Sequence, residues 1–81
     1  MRNTEGGDPP EVTVYLRPGC PFCDGLRLHL ESIEVAYVAR DVRADEHALA
    51  EMLRLNGGRR CVPTIVRGTE VIVGFGGYSS T

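Results

Sequence analysis

The sequence has no lysine, little net charge, no long apolar run and only three cysteines. Each shortage excludes something. A net charge of −2 and an isoelectric point near 5.6 leave no basic surface for general binding to nucleic acid. All nine positive side chains are arginine, a bias we attribute to coding composition. No apolar stretch approaches the ~20 residues of a membrane-spanning helix, so no membrane association is expected. The segment from Met1 to Glu11 is polar, with Gly6, Gly7, Pro9 and Pro10, and lacks the apolar core of a secretory signal. A cytoplasmic location is therefore expected. An odd number of cysteines cannot close a disulfide framework, and a C-x-x-C pair in a reducing compartment indicates redox chemistry or metal binding.

What remains is a chain of 81 residues with 42% apolar and 25% charged residues, enough for one small domain. Residues 1–11 are expected to be a flexible tail and residues 12–81 a single domain. Val12 to Leu16 is a β-prone run that stops at Arg17-Pro18-Gly19. Phe22, Leu26, Leu30 and Ile33 then fall on one helical face. Val35 to Val42 suggests a second strand, with Val35, Tyr37 and Ala39 on one side. Ala48, Leu49, Met52 and Leu55 suggest the buried stripe of a second helix, stopped by Asn56-Gly57-Gly58. Val62 to Arg67 and Val71 to Val73 flank Gly68-Thr69 as a tight hairpin. The order β-α-β-α-β-β implies an α/β fold with a parallel pair, a right-handed crossover and an antiparallel edge, giving a mixed four-stranded sheet.

Cys20-Pro21-Phe22-Cys23 lies between a strand-ending Pro-Gly and a first helical turn. Residues three apart share a helix face, so the two sulfurs can form a small disulfide. Cys20 takes the N-cap position and Pro21 the first helical one, where a missing N–H costs nothing. The N–H groups of Phe22 and Cys23 can then point at the Cys20 sulfur and favour its thiolate. Such nucleophiles fall from a pKa of ~8.5 to ~3.5–7.5. Cys20 is thus the expected attacking thiol. Cys23, one turn deeper, is the resolving thiol, expected to be less exposed and less acidic. Arg17 is either a cation supporting Cys20 or a solvated loop residue. Zinc is not expected, because a closed site needs four ligands. The chain offers one cysteine pair, an isolated Cys61, and His29 and His47 on expected wet faces. On the residues alone, the bond before Pro63 can be cis or trans.

These pieces together resemble the glutaredoxin family: Val14-Tyr15 leading into Cys20-Pro21-Phe22-Cys23, Asp41 after the second strand, Gly58 to Pro63, and Gly74 onward. The resemblance spans about residues 12–76. It implies a thioredoxin fold with Pro63 as a cis-proline beside the dithiol, and thiol–disulfide oxidoreductase activity. It implies that the Val62 backbone pairs with the peptide-like part of a bound thiol and that Phe22 lines the groove. Arg17 stands for the basic residue ahead of the first cysteine, and Arg59 or Arg60 would meet a carboxylate of the thiol substrate. Glutathione or another low-molecular-weight thiol is the implied co-substrate, disulfide-bearing proteins the implied targets, and no bound cofactor is expected. The family's acids after the glycine pair are missing from Gly76-Gly77-Tyr78-Ser79-Ser80, and its third helix would be short or absent. Asn56 to Arg60 also resembles mycoredoxins, and Val73-Gly74-Phe75 resembles redoxins that serve ribonucleotide reductase and take electrons from a flavoprotein, thioredoxin reductase. An electron carrier of that kind and an iron–sulfur-binding dimer are the alternative functions; a monomer is the expectation for the first reading. Cys61 replaces the family's usual threonine. It is either a small half-buried strand residue or a third redox thiol.

Overall fold

The computed structural model describes residues 12–76 and residue 79. The expected tail over residues 1–11 lies outside the described residues, as do 77, 78, 80 and 81, where a third helix would begin. Four strands and two helices follow the expected order: β1 (Val12–Leu16), α1 (Pro21–Ser32), β2 (Tyr37–Asp41), α2 (Glu46–Leu55), β3 (Thr64–Arg67) and β4 (Glu70–Val73). They form one mixed sheet in the order β2-β1-β3-β4. β1 and β2 run parallel, whereas β1–β3 and β3–β4 are antiparallel.

Register places one end of the sheet under the dithiol. Leu16 pairs with Asp41 and Tyr15 with Thr64. The loop leaving β1, the loop leaving β2 and the loop entering β3 therefore meet at a single edge. The Val42 N–H donates to the Leu16 carbonyl at 2.9 Å and closes that corner.

Both helices are built from local rules. Cys20 caps α1, and Pro21 occupies its first turn. Asp45 caps α2, its Oδ1 accepting from the N–H groups of His47 and Ala48 at 2.9 and 3.3 Å. That capping holds the Asp45 carboxyl below its ordinary range, the Ala48 N–H being the main cause. At the far end of α2, Asn56 is the C-cap and Gly57 takes φ 80°. The Gly58 N–H returns to the Leu53 carbonyl at 2.7 Å, a closure that needs the left-handed residue at Gly57. The Gly68-Thr69 hairpin is as expected, with Arg67 opposite Glu70 and Gly68 at φ 61°.

Several expected boundaries shift. β2 begins at Tyr37, not Val35, because the Val35 N–H closes the end of α1 on the Leu30 carbonyl at 2.9 Å. β3 begins at Thr64, not Val62, because Pro63 has no N–H for the ladder; its carbonyl instead accepts from the Gly74 N–H at 2.7 Å. Ile33 is the C-cap of α1 and 52% exposed, so the buried stripe is Cys23, Leu26 and Leu30. Leu55 ends α2 at 41% exposed, and Leu53 packs against the core in its place. Cys61 precedes β3 and is half-buried.

Candidate active site

Cys20 has extended backbone, φ −93° and ψ 111°, and its Sγ accepts from the Cys23 N–H at 3.3 Å. The sulfur therefore takes the place of a capping oxygen at the positive end of α1, a setting that an anionic sulfur exploits better than a neutral one. The Asp24 N–H donates to the Cys20 carbonyl at 3.1 Å and locks the turn. Both cysteines are free thiols.

Burial departs from expectation. Cys20 is 0% exposed and Cys23 1%, so the first sulfur is as enclosed as the second. The cause is that both sulfurs sit within the core cluster with Leu16, Leu26 and Val62, in the manner of small apolar side chains. The two thiols are distinguished chemically. Burial pushes the Cys23 thiol up to about 12, with Cys20 adding to the rise; a backbone hydrogen bond and the charge of Arg17 oppose it only in part. Cys23 thus remains protonated at neutral pH.

The Val62-Pro63 peptide bond is cis. Val62 and Pro63 are buried, and Val62 packs in the same cluster as the two cysteines. The loop that presents them is tied down by Asn56. Its Nδ2 donates to the Arg59 carbonyl at 2.8 Å and to Thr64 Oγ1 at 3.2 Å, while the Arg59 N–H donates to Oδ1 at 2.9 Å. Thr64, fully buried, donates in turn to the Cys61 carbonyl at 2.8 Å.

A groove of about 290 Å³ opens beside this corner. Val42, Leu49, Met52 and Val62 supply its apolar lining, and Arg17, Arg43 and Arg60 its charged one. Arg17 is half-buried, with Nη1 donating to the Pro18 carbonyl at 3.0 Å. Of the arginines expected to meet a substrate carboxylate, Arg60 lines the groove, whereas Arg59 is exposed and engaged by its backbone in the Asn56 turn. Phe22 is half-buried against the core cluster. Of the two histidines weighed as zinc ligands, His29 lies against Phe75 with ring centroids 5.7 Å apart and the rings tilted by 41°, and His47 is exposed at the start of α2. Sequence reasoning missed Arg43 and Asn56. The signal for Asn56 was visible in Asn-Gly-Gly, read only as a helix stop; Arg43 carries no local signal.

A four-stranded mixed sheet, a dithiol capping the first helix and a cis-proline entering the third strand define a thioredoxin-fold protein of thiol redox chemistry. The glutaredoxin family model matches residues 12–72, and a glutaredoxin of Neisseria meningitidis is 37% identical over 65 residues, covering 79% of this chain and 75% of that protein. The chain belongs to the glutaredoxin family. Among solved structures, the thioredoxin-like protein BC3987 is 34% identical with a TM-score of 0.73, over 79% of this chain and 86% of that one. A glutaredoxin of Archaeoglobus fulgidus shares the fold at 20% identity and a TM-score of 0.70, over 93% and 86% of the two chains.

Proposed function

We propose that the chain is a dithiol oxidoreductase that reduces mixed disulfides formed by proteins or small thiols. One observation carries this reading: Cys20 Sγ is the N-cap acceptor of α1, while the Cys23 thiol, one turn deeper, is pushed up to about 12. The pair is divided into a sulfur placed to act as an anion and a sulfur held as a proton donor. Cys20 thiolate attacks one sulfur of R–S–S–R′, forming Cys20–S–S–R and releasing R′–S⁻, which takes up a proton. The Cys23 sulfur then attacks Cys20, closing the Cys20–Cys23 disulfide and expelling R–S⁻, which receives the Cys23 proton. Two electrons and the Cys23 proton leave the dithiol for the substrate disulfide, and solvent supplies the second proton. Because Cys20 is enclosed, the incoming sulfur has to displace part of the shell over it.

The cis Val62-Pro63 corner and Phe22 support a role in aligning the thiol backbone, and Arg17 and Arg60 support a role in holding a carboxylate. A reducing, cytoplasmic setting and action as a monomer fit this reading. Glutathione or another small thiol, or a flavoprotein reductase, regenerates the dithiol. The test is trapping by intact mass. Cys23→Ser should accumulate a mixed disulfide at Cys20, and Cys20→Ser should form none and reduce nothing. Turnover by Cys20→Ser would overturn the reading. Comparing reduction of the oxidised protein by glutathione, by mycothiol and by NADPH with thioredoxin reductase identifies the donor.

A further inference from the structure

We propose that Asn56-Gly57 is a modification site. The fold holds the Asn56 amide unreacted. When its loop opens, the amide closes on the Gly57 nitrogen and becomes aspartate or isoaspartate, neither of which remakes the loop. The effect on turnover rests on the dithiol reading above.

The chain has two asparagines and no glutamine, and Asn56 is the asparagine followed by glycine. An asparagine amide reacts when the backbone nitrogen of the next residue attacks Cγ. A bond forms from the Gly57 nitrogen to Cγ, and the displaced amide nitrogen leaves as ammonia with the proton from Gly57. Water then opens the cyclic imide at either carbonyl. The product is aspartate or, with the main chain rerouted through the side chain, isoaspartate. The balance is water taken up and ammonia released, with no oxidation. Glycine favours the attack because no side chain shields its nitrogen. Gly57 is exposed, and among the described residues no atom lies within 4 Å of where its Cβ would stand.

Two features hold the reaction back in the folded chain. Ring closure brings the Gly57 nitrogen alongside the Asn56 Cβ about the Cα–C bond. At ψ 14° that nitrogen is instead nearly eclipsed with the backbone nitrogen of Asn56, away from Cβ. The Asn56 side chain is also held at both ends, Nδ2 on the Arg59 carbonyl and Thr64 Oγ1, and Oδ1 on the Arg59 N–H. Turning ψ for the attack carries Gly57 with it and breaks the Gly58 bond to the Leu53 carbonyl that closes α2. The reactive geometry is therefore reached by local opening of this loop.

The loop reads an amide and not an acid. Arg59 presents an N–H to one side-chain atom and a carbonyl to the other, which fixes the orientation of the amide. Thr64 gives its own proton to the Cys61 carbonyl at 2.8 Å, so its Oγ1 meets Nδ2 as an acceptor. An ionised carboxylate only accepts. Oxygen in place of Nδ2 is set against the Arg59 carbonyl and against the hydroxyl oxygen of Thr64, which is fully buried. Isoaspartate adds a carbon to the main chain just ahead of Gly57, which must take φ 80°. Either product frees the segment leading to Arg60 and the cis Val62-Pro63 bond. Conversion thus weakens substrate alignment while leaving both thiols chemically intact.

The test is mass spectrometry with a tryptic map. Conversion exchanges NH for O in the intact mass, and trypsin releases Asn56 in the peptide Leu55–Arg59, apart from Asn3. Folded protein at mildly alkaline pH should convert Asn56 at least about tenfold more slowly than the free peptide Leu55–Arg59, the scale of three hydrogen bonds. Thr64→Val removes one of those bonds and should speed conversion by about two- to tenfold. Val12→Ala, which thins the core at the opposite end of the sheet, should not speed it. Asn56→Asp should lower the urea midpoint at least as far as Asn56→Ala, and should raise KM for a small-thiol disulfide. Four results would each overturn the proposal: conversion as fast as in the peptide, no conversion in either the protein or Thr64→Val, equal acceleration by Val12→Ala, or a midpoint unchanged by Asn56→Asp. If Asn56 converts and the midpoint falls as expected, but unconverted protein reduces no disulfide, the modification stands and the dithiol reading fails.

Discussion

Asn56 and Thr64 are hydrogen-bonded across the loop that carries the cis-proline, Nδ2 to Oγ1 at 3.2 Å. The same amide group grips both backbone ends of Arg59, and Thr64 passes the tie on to the Cys61 carbonyl. Asn56 thereby acts as a positioning residue for Arg60 and Val62. Asn56→Ala should cost about 1–2 kcal/mol of stability, since its partners on Arg59 regain water while the contact to buried Thr64 is lost. In the same variant, KM for a small-thiol disulfide should rise more than kcat falls. A double-mutant cycle with Thr64→Val checks the coupling: the paired variant should lose less stability than the two single changes add up to.

Cys23 links folding stability to pH. Its thiol is neutral in the fold up to about 12, whereas an unfolded chain ionises it near 9.0. Above the lower value the unfolded state binds fewer protons, so stability falls with rising pH. The contribution is fully present below 9.0 and is lost as pH climbs towards about 12. Tyr15, raised by burial and then by its bond to Glu51, adds a loss of the same sign above its ordinary value of 10.0. Urea midpoints of the reduced protein at about pH 8 and about pH 10 should therefore fall. Cys23→Ala should show a smaller fall over that interval, and an unchanged slope would remove the assignment.

What the residues disclose follows the range of the interactions involved. The Cys20-Pro21 cap was legible because N-capping and proline at the first helical position depend on adjacent residues alone. The hairpin at Gly68-Thr69 was legible for the same reason. The cis state of Val62-Pro63 followed from resemblance, since both isomers fit the local sequence. The stripes failed at Ile33 and Leu55 because periodicity continues past the residue at which a helix stops pointing inwards. The groove was legible only through resemblance, which named Arg17, Arg60 and Val62, while Arg43 and the apolar floor carried no local signal. Its lining comes from four segments brought together only by the pairing of Leu16 with Asp41 and Tyr15 with Thr64.

The end of α1 holds a correctable strain. Glu34 has φ 59°, and it sits where the chain turns so that the Val35 N–H can reach the Leu30 carbonyl. A side chain in this left-handed region is disfavoured by about 1–2 kcal/mol, and glycine removes that term while adding freedom to the unfolded chain worth about 0.4–1 kcal/mol. Glu34→Gly should therefore stabilise the protein by about 0.5–1 kcal/mol, a rise of about 4 °C in Tm for a domain of this size. Thermal unfolding followed by circular dichroism reads this directly. A lower Tm would mean that the Glu34 side chain contributes more than its backbone costs.

Glu51 joins three elements through one oxygen. Its Oε1 accepts from Tyr15 at 3.1 Å and from Arg40 at 2.9 Å, holding α2, which carries the groove residues Leu49 and Met52, against β1 and β2. The ion pair is partly exposed and contributes little alone. The tyrosine is different: Tyr15 is buried, and removing Glu51 leaves its hydroxyl without that acceptor. Glu51→Ala should cost about 1–3 kcal/mol for that reason. In a Tyr15→Phe background the same change should cost only the surface-pair amount, below about 1 kcal/mol, because no hydroxyl remains to be stranded. Chemical denaturation of the four proteins measures both numbers. Equal costs in the two backgrounds would show that Glu51 acts through Arg40 alone, and would detach Tyr15 from the positioning of α2.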